Sequence, residues 1–258
     1  AALGDEKTAV SIVTDAIKGL TGPGEIRCGE KLASALKSMG ICAAAYTYNT
    51  ANFYPTDMTN LTTYGSQALE GAFQSTTYAP TMKFPRLKSF KVFRSGIGCV
   101  IATNMTDITE QAFWQCPRLT NVVVSANLKT VGARVFEEAK ALKSFDLGEY
   151  PQLTTIGASA FSSCTALTEI VVPDGVQEIA ERTFYGCEKL WSVELPDTVT
   201  SIGYNAFARC FALSSFRLPS QLKTIGTMAF GFNWELESIR FLGAEPLAGD
   251  AIFSNTPP

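Results

Sequence analysis

LTEIVVPDGVQEIAERTFYGC, residues 167–187, is the stretch whose reading decides the fold. Leu167, Ile170 and Val172 are the apolar, inward-facing positions of a short extended segment, separated by residues suited to the opposite face. Pro173 has no N–H to continue a ladder and ends the strand, and Gly175 helps the chain turn. Val176 and Ile179 form a second extended piece. In 180–187, Phe184 and Cys187 stand three apart, which predicts a single helical or 3₁₀ turn that lays the aromatic ring into a core. One such unit cannot bury its own apolar face, so the pattern has to recur.

It does recur. Phe113, Phe136, Phe161, Phe184, Phe207, Phe230 and Phe253 follow one another at 23 residues, with a single interval of 25 between Phe136 and Phe161. Five residues before the first six stand Ile108, Val131, Ile156, Ile179, Ile202 and Ile225. Six residues after them stand Leu119, Leu142, Leu167, Leu190, Leu213 and Leu236. A β-sandwich with regular turns has no reason to hold one phenylalanine at constant phase, whereas a solenoid must. Each ring then covers the one before it.

The pattern L-x-x-I-x-V-P-x-x-V-x-x-I-x-x-x-[AT]-F-x-x-C, present in 167–187 and again in 190–210, resembles the BspA-type leucine-rich repeat. The resemblance runs from Ile108 to Phe253 and more loosely back through Phe73, Leu87, Phe90 and Val92. It implies an α/β leucine-rich-repeat solenoid: a right-handed superhelix of parallel strands joined by short helical turns. It also implies a secreted or surface-attached adhesin of the kind found in anaerobic bacteria and some protists. The family supplies no catalytic or fixed binding residues to carry over.

Composition narrows the function further. The formal charge is −3 and Lys and Arg are scattered, so no basic stripe for nucleic acid exists. No apolar run approaches the roughly 18 residues that cross a bilayer. The chain has no histidine and no Cys-x-x-Cys pair, which removes Ser-His-Asp and Cys-His catalysis and the common zinc sites. Glu137 and Glu138 are adjacent in a turn, with no partner base in the pattern. We therefore expect a protein that is not an enzyme, with no cofactor and no metal. Its expected partner is an extracellular or host protein, with a glycan or a structural spacer role as the alternatives, and we expect a monomer. The first residues show neither an initiator Met nor a basic leader, consistent with a bacterial secreted or cell-surface chain whose signal sequence is gone.

Three regions are expected. Residues 1–40 read as a helical N-terminal cap, with Val10, Val13, Ile17 and Leu20 on one helix and Leu32, Ala35, Leu36 and Met39 on another. Residues 41–107 read as degenerate repeats, opened by a strand at 41–46, with loop insertions between Phe73 and Leu87 and between Val92 and Ile108. Residues 108–258 read as the regular units; GAEPLAGDAIFSNTPP opens one more at Phe253 and stops before its strand, so either the chain is cut short, the reading we favour, or Pro257 and Pro258 finish it.

Cys116, Cys164, Cys187 and Cys210 each follow a repeat Phe by three, a slot also held by Ala139 and Asn233, so it asks for something small and predicts free buried thiols. Cys28, Cys42 and Cys99 fall outside that ladder. Outward columns on the strand face are expected to run Lys91, Val123, Asp146, Val171, Glu194, Arg217, Arg240; Ser89, Asn121, Ser144, Glu169, Ser192, Ser215, Ser238; and Lys88, Thr120, Lys143, Thr168, Trp191, Ser214, Glu237. Trp191 is the large aromatic in a polar column, and with Glu169, Glu194, Arg217 and Arg240 it forms the predicted contact patch. A competing reading pairs Glu194 with Arg217 across adjacent rungs and packs Trp191 on a neighbour. Phe211 and Trp234 share another slot and are expected to stack as core or surface shielding.

Overall fold

The structure, a computed structural model, describes residues 81–254 together with Ser38–Met39, Thr63–Tyr64, Glu70, Gly71 and Ala79. Strands of two to four residues follow in chain order: β1 (Ser38–Met39), β2 (Thr63–Tyr64), β3 (Thr81–Lys83), β4 (Cys99–Ala102), β5 (Asp107–Ile108), β6 (Asn121–Val124), β7 (Thr130–Val131), β8 (Thr155–Ile156), β9 (Glu169–Val171), β10 (Glu178–Ile179), β11 (Ser192–Glu194), β12 (Ser201–Ile202), β13 (Ser215–Leu218), β14 (Thr224–Ile225), β15 (Ser238–Phe241) and β16 (Leu247–Ala248). Every pairing is parallel, and along β10, β12, β14 and β16 the partners of Glu178 are Ser201, Thr224 and Leu247, one unit apart each time. The described residues form a β-solenoid of parallel strands, as the period predicts, with little helix.

The phenylalanine spine holds it together. Phe113, Phe136, Phe161, Phe184, Phe207 and Phe230 are fully buried, and successive rings stack at centroid distances of 5.1–5.5 Å. These distances are a little longer than the roughly 4.8 Å between neighbouring strands, so each rung contributes one ring to the axis.

The segments carrying these rings are not helical turns. Around Phe184, the N–H groups of Thr183, Tyr185 and Cys187 donate back three residues to Ala180, Arg182 and Phe184. The alternate N–H groups of Arg182, Phe184 and Gly186 donate forward to the carbonyls of Tyr204, Ala206 and Ala208 on the next rung. Such a chain of turns needs left-handed residues two before and two after each Phe: Gln111 and Gln115, Arg134 and Glu138, Ser159 and Ser163, Arg182 and Gly186, Asn205 and Arg209, Met228 and Phe232 all have φ between 52° and 69°. Eleven of these twelve are not glycine, although the conformation costs an L-residue roughly 1–2 kcal/mol. The forward hydrogen bonds to the next rung offset that strain, and a helix, which bonds within itself, could not make them.

The first rungs differ from the reading above. The segments expected as loop insertions each contain a strand: β6 pairs with β4, and β4 with β3. The outward neighbours of Val123 and Asn121 are therefore Ile101 and Cys99, then Lys83 and Thr81, in place of Lys91 and Ser89. Lys88, Ser89 and Lys91 precede the turns. Val92 occupies the phenylalanine slot there: it donates forward to Ala112, its carbonyl accepts the Cys116 thiol, and Arg94 two residues on is left-handed with φ 54°. A valine in a phenylalanine slot hid this rung. Met39, expected on a helix, lies in β1, paired with β2. The rest of the helical cap, the strand at 41–46, Cys28 and Cys42 lie outside the described residues.

The 25-residue unit leaves the strand pattern. Asp146 does not sit in an outward strand column; its Oδ1 accepts the Gly148 N–H at 2.9 Å and caps a 3₁₀ helix, Leu147–Glu149. Tyr150 turns inward and stacks on Phe145 at 5.6 Å. The two extra residues are accommodated here, and the strand face is split into three ladders: β3–β4–β6, β9–β11 and β13–β15.

The second face is split as well, for a different reason. Four residues before the repeat Phe from Phe136 to Phe253 stand Gly132, Gly157, Ala180, Gly203, Gly226 and Gly249, while Phe113 has Thr109 there. At the five glycines an added Cβ would lie 2.4–2.7 Å from backbone of the preceding rung. Ala180 carries that Cβ. Where Gly157, Gly203, Gly226 and Gly249 donate to Val131, Ile179, Ile202 and Ile225, Ala180 forms no such bond to Ile156, and β8 and β10 are not paired. The methyl group holds the two rungs apart.

Candidate functional site

Each cysteine of the ladder is free and buried, and past Cys116 each thiol donates to the carbonyl of the slot Phe on the preceding rung: Cys164 to Phe136, Cys187 to Phe161 and Cys210 to Phe184, at 3.1–3.2 Å. Asn233 does the same through Nδ2 to Phe207 at 2.9 Å while its Oδ1 accepts the Cys210 N–H. The slot therefore suits a small side chain that also donates, which Ala139 alone does not. Burial pushes the Cys116 and Cys210 thiols up to about 12 and raises those of Cys164 and Cys187 as well. These are structural groups without nucleophilic character. Cys99 in β4 is free and partly exposed.

The adjacent carboxylates are engaged in the scaffold. Glu137 lies 3.7 Å from Arg134, and burial raises its carboxyl despite that cation. Glu138 Oε1 accepts from Gln115 Nε2 at 3.1 Å on the preceding rung. Among the described residues no group of three or more Cys, Asp or Glu is placed to hold a metal ion, and none forms a helix long and apolar enough to cross a membrane. The opening beside Ala180 forms a groove of about 540 Å³ lined by Thr154, Thr155, Ile156, Gly157, Gly175, Gln177, Glu178 and Ala180. It holds no facing pair of carboxylates.

The strand face carries the predicted patch. Trp191 immediately precedes β11 and is 58% exposed, and its backbone N–H donates to the Thr168 carbonyl. Glu169 stands in register with Ser192, and Glu194 with Val171, which is also exposed. Arg217 and Arg240 are register partners, so two exposed guanidiniums sit side by side. Glu194 and Arg217 form no ion pair. Arg217 instead acts on Asp197, whose carboxyl is lowered chiefly by the Ser220 N–H it accepts at 2.9 Å. All five residues are thus on one side of the solenoid, on two neighbouring ladders with no strand pairing between β11 and β13.

A second surface was only half legible. Phe211 and Trp234 stack at 4.9 Å and 14°, as their shared slot predicts. Next to them on the turn face lies a set of rings and arginines that the sequence reading did not single out: Arg182, Tyr185, Tyr204, Arg209 and Phe232. Arg182, Arg209 and Phe232 of this set stand in left-handed slots, whereas Tyr185 and Tyr204 do not.

The family model described as BspA type Leucine rich repeat region matches in six copies, over residues 45–167 and 154–257. No curated protein matches the chain. Among solved structures, a leucine-rich repeat protein from Bacteroides ovatus superposes with a TM-score of 0.56 at 20% identity, covering 95% of this chain and 80% of that one. A leucine rich cell surface protein from Faecalibacterium prausnitzii A2-165 gives a TM-score of 0.53 at 28% identity over 62% of this chain. The present chain spans 42% of the length of that protein.

Proposed function

We propose that this chain, which belongs to the BspA-type leucine-rich-repeat family, is a non-enzymatic binding module of a secreted or cell-surface bacterial protein, and that its strand face engages an extracellular protein. The observation that carries this reading is Trp191, a 58% exposed indole immediately before a strand of a parallel ladder, beside two register-paired arginines that form no ion pair. Large aromatics next to arginine are the residue types that dominate protein interfaces. Glu169 and Glu194 add opposite charge around the indole, which favours one docking orientation over another. The F. prausnitzii relative is described as a cell surface protein, and we extend that location to this chain as part of the proposal.

The test is a binding screen of the purified chain against immobilised extracellular-matrix proteins, with Trp191→Ala/Arg217→Glu as the comparison. The expected result is a partner bound by the wild type and weakened at least tenfold in the double variant, the loss of about 1.4 kcal/mol or more that interface anchors supply. A partner held equally well by both proteins would remove the strand face from the proposal.

A further inference from the structure

On the turn face, Arg182 Cζ lies 5.8 Å from the Tyr185 centroid and 5.7 Å from that of Tyr204 on the next rung. Arg209 Cζ lies 6.0 Å from the same Tyr185 ring and 5.2 Å from Phe232. Two arginines thus alternate with three rings across three rungs, each cation resting on aromatic faces. Both arginines are exposed, Tyr204 is 40% exposed, and neither guanidinium takes part in an ion pair. The nearby carboxylates are Glu181 and Glu188, exposed on the Arg182 rung, and Glu137, which feels the Arg182 charge. Phe211 and Trp234 continue the strip, separated from Arg209 and Phe232 only by the inward-facing Cys210 and Asn233. Trp234 is 60% exposed.

Stacking on rings holds the guanidinium planes in place while leaving their N–H donors unspent, which suits a carboxylate or sulfate. The backbone beneath offers nothing to an extended peptide, because alternate N–H groups of this segment already bond forward to the next rung and the others bond locally. What remains for a ligand is charge and ring faces on an open surface. We propose that this strip, separate from the strand-face patch, is a binding surface for an anionic saccharide, with Arg182 and Arg209 taking its acidic groups and Tyr204 and Trp234 stacking against its sugar rings.

The proposal is tested by retention of the full chain on immobilised heparin, with neutral dextran and poly-L-glutamate as the comparison probes. Expected is salt-sensitive retention on heparin alone, with affinity falling about tenfold or more in Arg182→Ala/Arg209→Ala and to a lesser degree in Arg182→Lys/Arg209→Lys, which keeps the charge and loses the planar stacked fork. Trp191→Ala/Arg217→Glu should bind heparin as the wild type does, which separates this surface from the strand face. Absence of heparin binding, an alanine variant that binds like the wild type, or a strand-face variant that loses binding overturns the assignment. Equal retention on poly-L-glutamate would make the strip a reader of acidic peptides, and a lysine variant equal to the wild type would reduce it to general attraction of charge; either overturns it. Unchanged circular dichroism and melting of the variants establishes that a loss is not unfolding.

Discussion

Two junctions, one rung apart, show how little separates a closed solenoid from an open one. Between β10 and β12, Gly203 lets the backbones meet, and its N–H donates to Ile179 while that of Thr200 donates to Gln177. Between β8 and β10 the same slot holds Ala180, the two strands are not paired, and a groove stands in their place. The strand face differs as well, since β9 pairs with β11 on one side and faces the 3₁₀ helix Leu147–Glu149 on the other, but the spine does not change. The ring distances across the two junctions are 5.4 Å for Phe161 and Phe184 and 5.3 Å for Phe184 and Phe207. The turn segments stay bonded at both, Phe161 N–H to Thr183 and Phe184 N–H to Ala206. The spine and the turn face carry the stack, and the second ladder is a local contribution that one methyl group removes.

The strongest way to break this comparison is to remove the ring that spans both junctions. Phe184→Ala should cost roughly 3–5 kcal/mol in urea unfolding as a large core truncation. Its loss should also accelerate amide exchange on the rungs at either side, whereas exchange confined to one side would mean that the rungs unfold independently. Gly203→Ala should convert the closed junction into an open one, because its Cβ would lie 2.7 Å from the Glu181 nitrogen. With two backbone hydrogen bonds lost, a destabilisation of about 2–3 kcal/mol is expected. Retained exchange protection at Gly203 and Thr200 would show that the methyl group is not what opens the ladder.

The reverse change, Ala180→Gly, should close the open junction. Two hydrogen bonds gained against the roughly 0.5–1 kcal/mol entropic cost of glycine leave a net stabilisation of about 1 kcal/mol, read as a higher urea midpoint. The smallest effect near neutrality is one both junctions share. The buried thiols have folded pKa values raised above the ordinary 9.0, to about 12 for Cys116 and Cys210. The folded state therefore keeps protons that the unfolded chain releases, so this contribution is complete below pH 9 and is lost as pH rises from about 9 toward 12. Unfolding followed across that range should show stability declining, with a shallower slope in Cys210→Ser.

Much of this architecture was readable in the chain. Phe113 to Phe253, the aliphatics five before and the leucines six after give the period, the strand positions and the core, because a side chain repeated at constant phase can only be stacked on itself. The slot glycines were equally visible, with Ala180 the one exception after Phe113, but their meaning depends on knowing that the preceding backbone passes within van der Waals reach. Val92 was misread because an aliphatic in an aromatic slot breaks the visible period without breaking the fold. Asp146 was misread because a residue with a strand-like neighbourhood can instead cap a 3₁₀ helix when two residues are added. For the candidate surfaces, the strand-face residues and the Phe211–Trp234 stack followed from register. The arginine–tyrosine strip did not, since left-handed residues flanking each Phe are almost all non-glycine and leave no mark in the composition.

The sequence by itself determined the unit, its repetition, the family and the identity of the buried rings, because apolar burial is proportional to what each side chain is and where it recurs. Only the tertiary structure decided where neighbouring rungs touch, which carbonyl each thiol meets, and which outward side chains become one surface. Those outcomes depend on contacts between residues about 23 positions apart, where a single Cβ within 3 Å of backbone changes the pairing and no local pattern records it.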